Sequence, residues 1–196
     1  MFDLSSIVKA YDIRGVVGEQ LDAETVRAIG AALARLVGAE GARSVVVGRD
    51  MRDSSPALAA AFAEGVTGQG LDVVDIGLAS TDMLYFAAGT LDVPGAMFTA
   101  SHNPAKYNGI KLCRGGATPI GQDTGLAALR EAVEAGLPAG SGGGRVEQRD
   151  LLEGYAAHLR GLVDLSGARP LKIVVDAGNG MGGYTVPAVF GALPFE

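Results

Sequence analysis

Val93-Pro94-Gly95-Ala96-Met97-Phe98-Thr99-Ala100-Ser101-His102-Asn103-Pro104 joins a nearly apolar run directly to a polar turn. A short apolar run without polar alternation suits a strand covered on both faces. The turn that ends it lifts Ser101 to the carboxyl end of a sheet, the edge where open α/β folds bind ligands. His102 stands beside the hydroxyl, and Asn103-Pro104 makes the chain turn. Ser, Asn and Pro are also ordinary turn formers, so the tetrapeptide alone is equally a plain turn. Its surroundings favour chemistry. Lys106, Lys111 and Arg114 follow within a few residues, and Asn108-Gly109-Ile110-Lys111-Leu112-Cys113 sets a lysine in otherwise buried company. A hydroxyl on a strand-end loop amid cations suits work on a phosphate group.

Outward from this stretch, helical and strand patterns alternate. Asp22 is an N-cap candidate for a helix whose Val26, Ile29, Leu33, Leu36 and Val37 share one face, with Gly38 as its stop. Ser44-Val45-Val46-Val47 is a short buried strand. Ser54-Ser55-Pro56 supplies a cap and a first-turn proline for a helix through Leu58, Ala61, Phe62 and Val66. Leu71 to Ile76 is the next strand, and Ser80 or Thr81 caps a helix ending at Gly89. This order predicts an α/β fold, a mainly parallel mixed sheet with helices on both faces. Asn108 to Cys113 follows the serine turn too closely for a helical crossover, so it is expected antiparallel or at an edge. Gly121 to Ala135 reads as one further helix, with Leu126, Leu129 and Val133 on one face.

Residues 136–145, Gly-Leu-Pro-Ala-Gly-Ser-Gly-Gly-Gly-Arg, have the composition of a linker or a surface loop. We therefore divide the chain into a domain over 1–145 and, over 146–196, a linker helix and the start of a second α/β domain. That part holds a helix over Leu151 to Val163, a strand over Leu171 to Val175, and a helix around Val186 to Phe190. His158, on the first of these helices, reads as a packing or surface residue. Gly178-Asn179-Gly180-Met181-Gly182-Gly183 fits a dinucleotide fingerprint, but a tight turn is its default role.

The formal net charge is −6 over 196 residues, and no basic patch or stripe stands out. A nucleic-acid partner is thereby excluded. No apolar run approaches the roughly 20 residues that span a membrane, and the amino terminus lacks a signal-peptide pattern. Cys113 is the single cysteine, so no intrachain disulfide is possible. A cytoplasmic setting follows as the expectation. No oligomeric state follows from the residues.

Thr99 to Pro104 resembles the active-site serine loop of the α-D-phosphohexomutases. Lys9-Ala10-Tyr11-Asp12-Ile13-Arg14-Gly15 resembles the opening motif of their phosphomannomutase/phosphoglucomutase branch. Val47-Gly48-Arg49-Asp50 with Arg52, Tyr107-Asn108-Gly109-Ile110-Lys111, and Val174-Val175-Asp176-Ala177-Gly178-Asn179-Gly180 add three further matches in the family's order.

The resemblance implies reversible transfer of phosphate between the 1- and 6-positions of a hexose phosphate. The route runs through a phosphoserine and a hexose 1,6-bisphosphate. It implies catalytic roles for Ser101, Lys111, Arg14 and His102, and substrate contacts for Tyr11 and Arg14. It also implies Mg²⁺, bound by Ser101 through its phosphate and by aspartates of a second-domain D-G-D-x-D-R loop that this chain lacks. Neighbouring cations and partial burial are expected to suit Lys111 to proton transfer. Arg49, Asp50 and Arg52 read as loop braces outside the primary set. The family has four domains, so these 196 residues alone are expected not to turn over. The alternatives are a phosphoglucosamine mutase, which the Lys9 to Arg14 opening and Thr99 argue against, and a non-catalytic phosphate-binding or assembly module on the same fold.

Overall fold

Asp22 opens the first long helix as its position requires. In the computed structural model, which describes residues 2–165 and 167–196, the Asp22 carboxylate accepts the Thr25 N–H at 2.8 Å. That bond holds its carboxyl below the usual range and satisfies a first-turn donor of the helix. The chain separates into two compact units, Met1–Arg149 and Asp150–Glu196.

The first unit runs β1 (Ile13–Val16), α1 (Ala23–Ala39), β2 (Ser44–Arg49), α2 (Ser55–Gly68), β3 (Asp72–Leu78), α3 (Thr81–Leu91), β4 (Gly95–Phe98), β5 (Tyr107–Cys113), α4 (Leu126–Ala135) and β6 (Val146–Gln148). The six strands form one sheet in the order β1-β5-β4-β2-β3-β6. β4, β2, β3 and β6 are mutually parallel neighbours. β5 is antiparallel to β4 on one side and to β1 on the other. The mixed, mainly parallel α/β architecture is therefore as the alternation of elements implied. The carboxyl ends of β2, β3 and β4 share one edge, and β5 starts there.

Strand side chains alternate between faces. Val45, Val47, Ala96, Phe98 and Ile110 join the large core with α1, α2 and α4. The opposite face is covered by α3, which lies against β4 and β2. Helices α1 and α2 approach closely enough that glycine is required between them. A Cβ on Gly65 would stand 2.0 Å from the Arg27 carbonyl oxygen, and one on Gly30 would stand 2.3 Å from that of Phe62.

Several local readings change. β1 was not anticipated, because its four residues are too few to show a period. β6 was missed for a related reason: all three of its residues are exposed. It pairs with β3 through Val73↔Val146 and Val74↔Glu147, so the first unit's sheet continues past the division expected at 145/146. Ser54 does not cap α2. Its backbone is already helical, and its hydroxyl accepts a hydrogen bond from Asn108 instead. The helix expected over Gly121 to Ala135 is broken at Gly125, whose φ of 150° no helix accommodates. A short 3-10 turn, Gln122–Thr124, precedes the break.

The second unit holds α5 (Leu152–Gly161) and α6 (Gly182–Phe190). Arg160 Nη1 donates to the Ala188 carbonyl at 2.8 Å, and the Phe190 and Phe195 rings meet edge to face. Leu171 to Val175 does not form the expected strand. Among the described residues the segment has one bridge, Leu171↔Phe195, and the Ile173 N–H donates to the Glu196 carbonyl at 2.7 Å. Val174 is 89 % exposed, because no sheet neighbour covers it among the described residues.

Candidate active site

The site grows from the carboxyl edge of the sheet. After β4 ends, the Thr99 N–H donates to the Gly109 carbonyl at 3.0 Å, which ties the start of the loop to β5. Gly109 has to be glycine: a Cβ there would stand 2.5 Å from the Ile13 oxygen and 2.9 Å from the Thr99 oxygen. The chain then turns sharply at Ser101, whose φ is +53°. This left-handed conformation is uncommon outside glycine. The Ser101 N–H donates to Thr99 Oγ1 at 3.0 Å. Its side chain is exposed, with Oγ 3.4 Å from His102 Nδ1.

Arg14 and Lys111 meet at a third residue. Ile13 pairs with Ile110 across β1 and β5, so the continued register sets Asp12 opposite Lys111. Asp12 is buried. Its Oδ2 accepts from Arg14 Nη2 at 2.5 Å and lies 3.5 Å from Lys111 Nζ. Arg14 Nη1 donates to Asn103 Oδ1 at 3.0 Å, which joins this cluster to the serine loop. Arg14 Nε is buried without a partner, a desolvated donor that costs about 1–3 kcal/mol. The group beside Lys111 is thus a carboxylate, where cations were expected.

Beneath the loop lies a buried polar network. Asp50 Oδ1 accepts from the Ser55 hydroxyl at 2.7 Å and from the Arg52 N–H at 3.1 Å. Asn108 Nδ2 donates to Ser54 Oγ and Ser55 Oγ, both at 2.9 Å, while its carbonyl accepts the Gly109 N–H at 2.8 Å. Arg52 spans from Asp50 to the carbonyls of the loop.

Other cations take up different places. Arg114 is not beside Ser101. β5 runs away from the serine edge, and Arg114 beyond its far end pairs with Glu40 at 2.7 Å. That pairing raises the arginine's pKa and lowers the carboxyl's. Lys106 is exposed and lies 5.7 Å from the centre of the Tyr107 ring. Tyr11 is 80 % exposed, and its hydroxyl has no hydrogen-bond partner among the described residues.

Of the residues expected from the sequence, Arg14 and Lys111 meet at Asp12, and Ser101 and His102 lie on the loop that Asn103 joins to Arg14. Sequence reasoning gave Asp12 and Asn108 no role, took Asn103 as a turn former and treated Arg52 as a brace. The signal for Asp12 was present as the i, i+2 spacing to Arg14, but only the β1–β5 register shows that Lys111 faces it.

The model of the phosphoglucomutase/phosphomannomutase α/β/α domain I matches residues 5–137. The chain belongs to this family. A protein named phosphohexose mutases from Xanthomonas campestris is 45 % identical over 190 residues. The phosphomannomutase/phosphoglucomutase of Pseudomonas aeruginosa is 44 % identical over 190 residues, covering 96 % of this chain and 40 % of that protein. The crystal structure of a family protein from Burkholderia thailandensis superposes with a TM-score of 0.88 at 40 % identity, covering 100 % of this chain and 43 % of that one. The chain thus spans about two fifths of the length of the family members it matches.

Proposed function

We propose that this chain is the serine-bearing part of a phosphomannomutase/phosphoglucomutase. Such an enzyme moves phosphate between the 1- and 6-positions of glucose or mannose phosphate. One observation carries the reading: an exposed Ser101 hydroxyl on a strained turn at the sheet's carboxyl edge, its loop tied through Asn103 to Arg14.

Ser101 carries a phosphoryl group on Oγ. A hydroxyl of the bound hexose phosphate attacks phosphorus, the bond to Ser101 Oγ breaks, and a hexose 1,6-bisphosphate forms. The bisphosphate reorients and its other phosphate returns to Oγ. Charge spreads over the phosphoryl oxygens as the group moves, so fixed cations and positioning supply most of the catalysis. Arg14 contributes a planar fork for phosphate oxygens. Lys111 brings a second cation to the phosphoryl oxygens, Asp12 holds both cations in place, and the proton of the attacking sugar hydroxyl ends on Ser101 Oγ as that oxygen leaves phosphorus. His102 stands within reach of Oγ to share its proton, and Tyr11 meets the sugar at the rim.

Phosphohexomutases are generally metal-dependent, and Mg²⁺ is the ion proposed. Among the described residues no three His, Cys, Asp or Glu side chains surround a point that could hold an ion. The side chains present therefore do not make a Mg²⁺ site by themselves. Ser101 would give one oxygen ligand through its phosphate, and the others are proposed to come from residues that this chain does not contain. No helix among the described residues is long and apolar enough to cross a membrane. The single cysteine, buried in the fold, fits a cytoplasmic setting.

The test is Ser101→Ala in the longer protein that carries this chain, assayed with hexose phosphate and a bisphosphate activator. Turnover should fall by orders of magnitude with folding retained, and the 196 residues alone should be inactive. Near-normal turnover in the variant would overturn the reading.

A further inference from the structure

Arg52 follows β2 at the serine edge, and its side chain is only 11 % exposed. A guanidinium has five N–H donors in one rigid plane. Here each of the five meets an oxygen. Nε meets Asp50 Oδ2 at 3.2 Å. Nη1 meets the carbonyls of Pro104 and Tyr107, both at 3.0 Å. Nη2 meets the carbonyls of Ser101 and Asn103, both at 2.8 Å. Four of these acceptors belong to one short run, residues 101 to 107. The fifth is the carboxylate of Asp50, which Ser55 and the Arg52 N–H hold in place.

This arrangement bears on the one strained residue of the loop. A non-glycine residue keeps a left-handed backbone only where its surroundings over-determine it. At Ser101 the preceding side is fixed by the N–H bond to Thr99 Oγ1. The following side is fixed by the Ser101 carbonyl accepting from Arg52. With the backbone held on both sides, the side chain is left facing outward. We propose that Arg52 is a positioning residue that sets the left-handed backbone of Ser101 and so aims its Oγ away from the sheet. The conformational claim stands on these bonds alone; its effect on turnover rests on the mutase reading above.

Arg52→Lys keeps the charge but offers three donors on a point cation in place of the fork. NMR of the 196-residue chain reads the conformation directly. In wild type, Ser101 Cα and Cβ shifts should be those of a left-handed residue, and the Arg52 Nη–H signals should be resolved and slow to exchange. In folded Arg52→Lys, the Ser101 shifts should move toward averaged values. Exchange of the Asn103 and Tyr107 amides should quicken by at least about tenfold. A folded variant that melts lower yet keeps the wild-type Ser101 shifts would overturn the proposal and leave Arg52 a general brace. If the variant does not fold, wild type decides: averaged, fast-exchanging Nη–H signals overturn the proposal, and slow ones support it.

In the longer protein, Arg52→Lys should lower kcat by about 100-fold with KM for hexose phosphate little changed. A raised KM with kcat intact would also overturn it. A wild-type longer protein that turns over no hexose phosphate would instead sink the mutase reading, and the NMR comparison would still judge Arg52.

Discussion

Asn108→Ala removes the footing of the serine loop without touching any group proposed to meet substrate. Asn108 is fully buried, and its amide makes three hydrogen bonds of 2.8 to 2.9 Å. A typical net bond contributes about 0.5–1.5 kcal/mol, and a buried donor left unpaired costs about 1–3 kcal/mol. Alanine deletes all three bonds and leaves the Gly109 N–H without that acceptor, while the Ser55 hydroxyl keeps Asp50. The expected loss is about 3 kcal/mol. The chain has no tryptophan, so urea unfolding is best followed by far-ultraviolet circular dichroism. With a slope near 2 kcal/mol per molar, the midpoint should fall by about 1.5 M. Ser54→Ala, which loses one bond at a half-buried hydroxyl, should cost about 1 kcal/mol. If Asn108→Ala cost no more than Ser54→Ala at an unchanged slope, the network would not be what anchors β5 to α2.

Gly109→Ala should destabilise the chain by at least about 2 kcal/mol, since its Cβ would press on two backbone oxygens of the β1 and loop segments. An unaltered urea midpoint would contradict the close approach described there. Cys113 gives a prediction in pH. Burial pushes its thiol from 9.0 up to about 11, so the folded state disfavours the thiolate. The stability this represents is intact below pH 9.0 and is lost as pH rises through about 11. The wild-type midpoint should therefore drop more steeply over that window than that of Cys113→Ala, and iodoacetamide at pH 8 should label Cys113 only after unfolding. Ready labelling of the folded chain would contradict its burial.

The strands and helices with strong patterns were legible. Asp22 to Gly38 shows its helix through apolar spacing, and the apolar run into Ser101 shows its strand through composition. β1 and β6 were not legible because three or four residues carry no period, and each is defined by its partner strand. Leu171 to Val175 shows the opposite error: strand-like residues pair only through the Leu171↔Phe195 bridge and its neighbouring bonds to Glu196, and form no strand. At the site, the sequence reveals reactive residue types and hides the groups that hold them. Asp12 sits inside a recognisable motif, yet its bond to Lys111 depends on a register between segments about a hundred residues apart. Arg52 acts on carbonyls, which every residue has, so no side-chain pattern in 101–107 announces it. Arg114 misled for the same reason, since proximity in sequence to Ser101 is undone by a strand that runs away from it.

The most direct measurement follows the phosphoryl group itself. The longer protein is incubated with a hexose 1,6-bisphosphate labelled in its phosphates, digested, and the labelled peptide located by mass spectrometry. The label is expected on Ser101, transferable back to a hexose phosphate and absent in Ser101→Ala. A label carried by His102 or any other residue, or turnover with no phosphorylated protein, would contradict the serine relay.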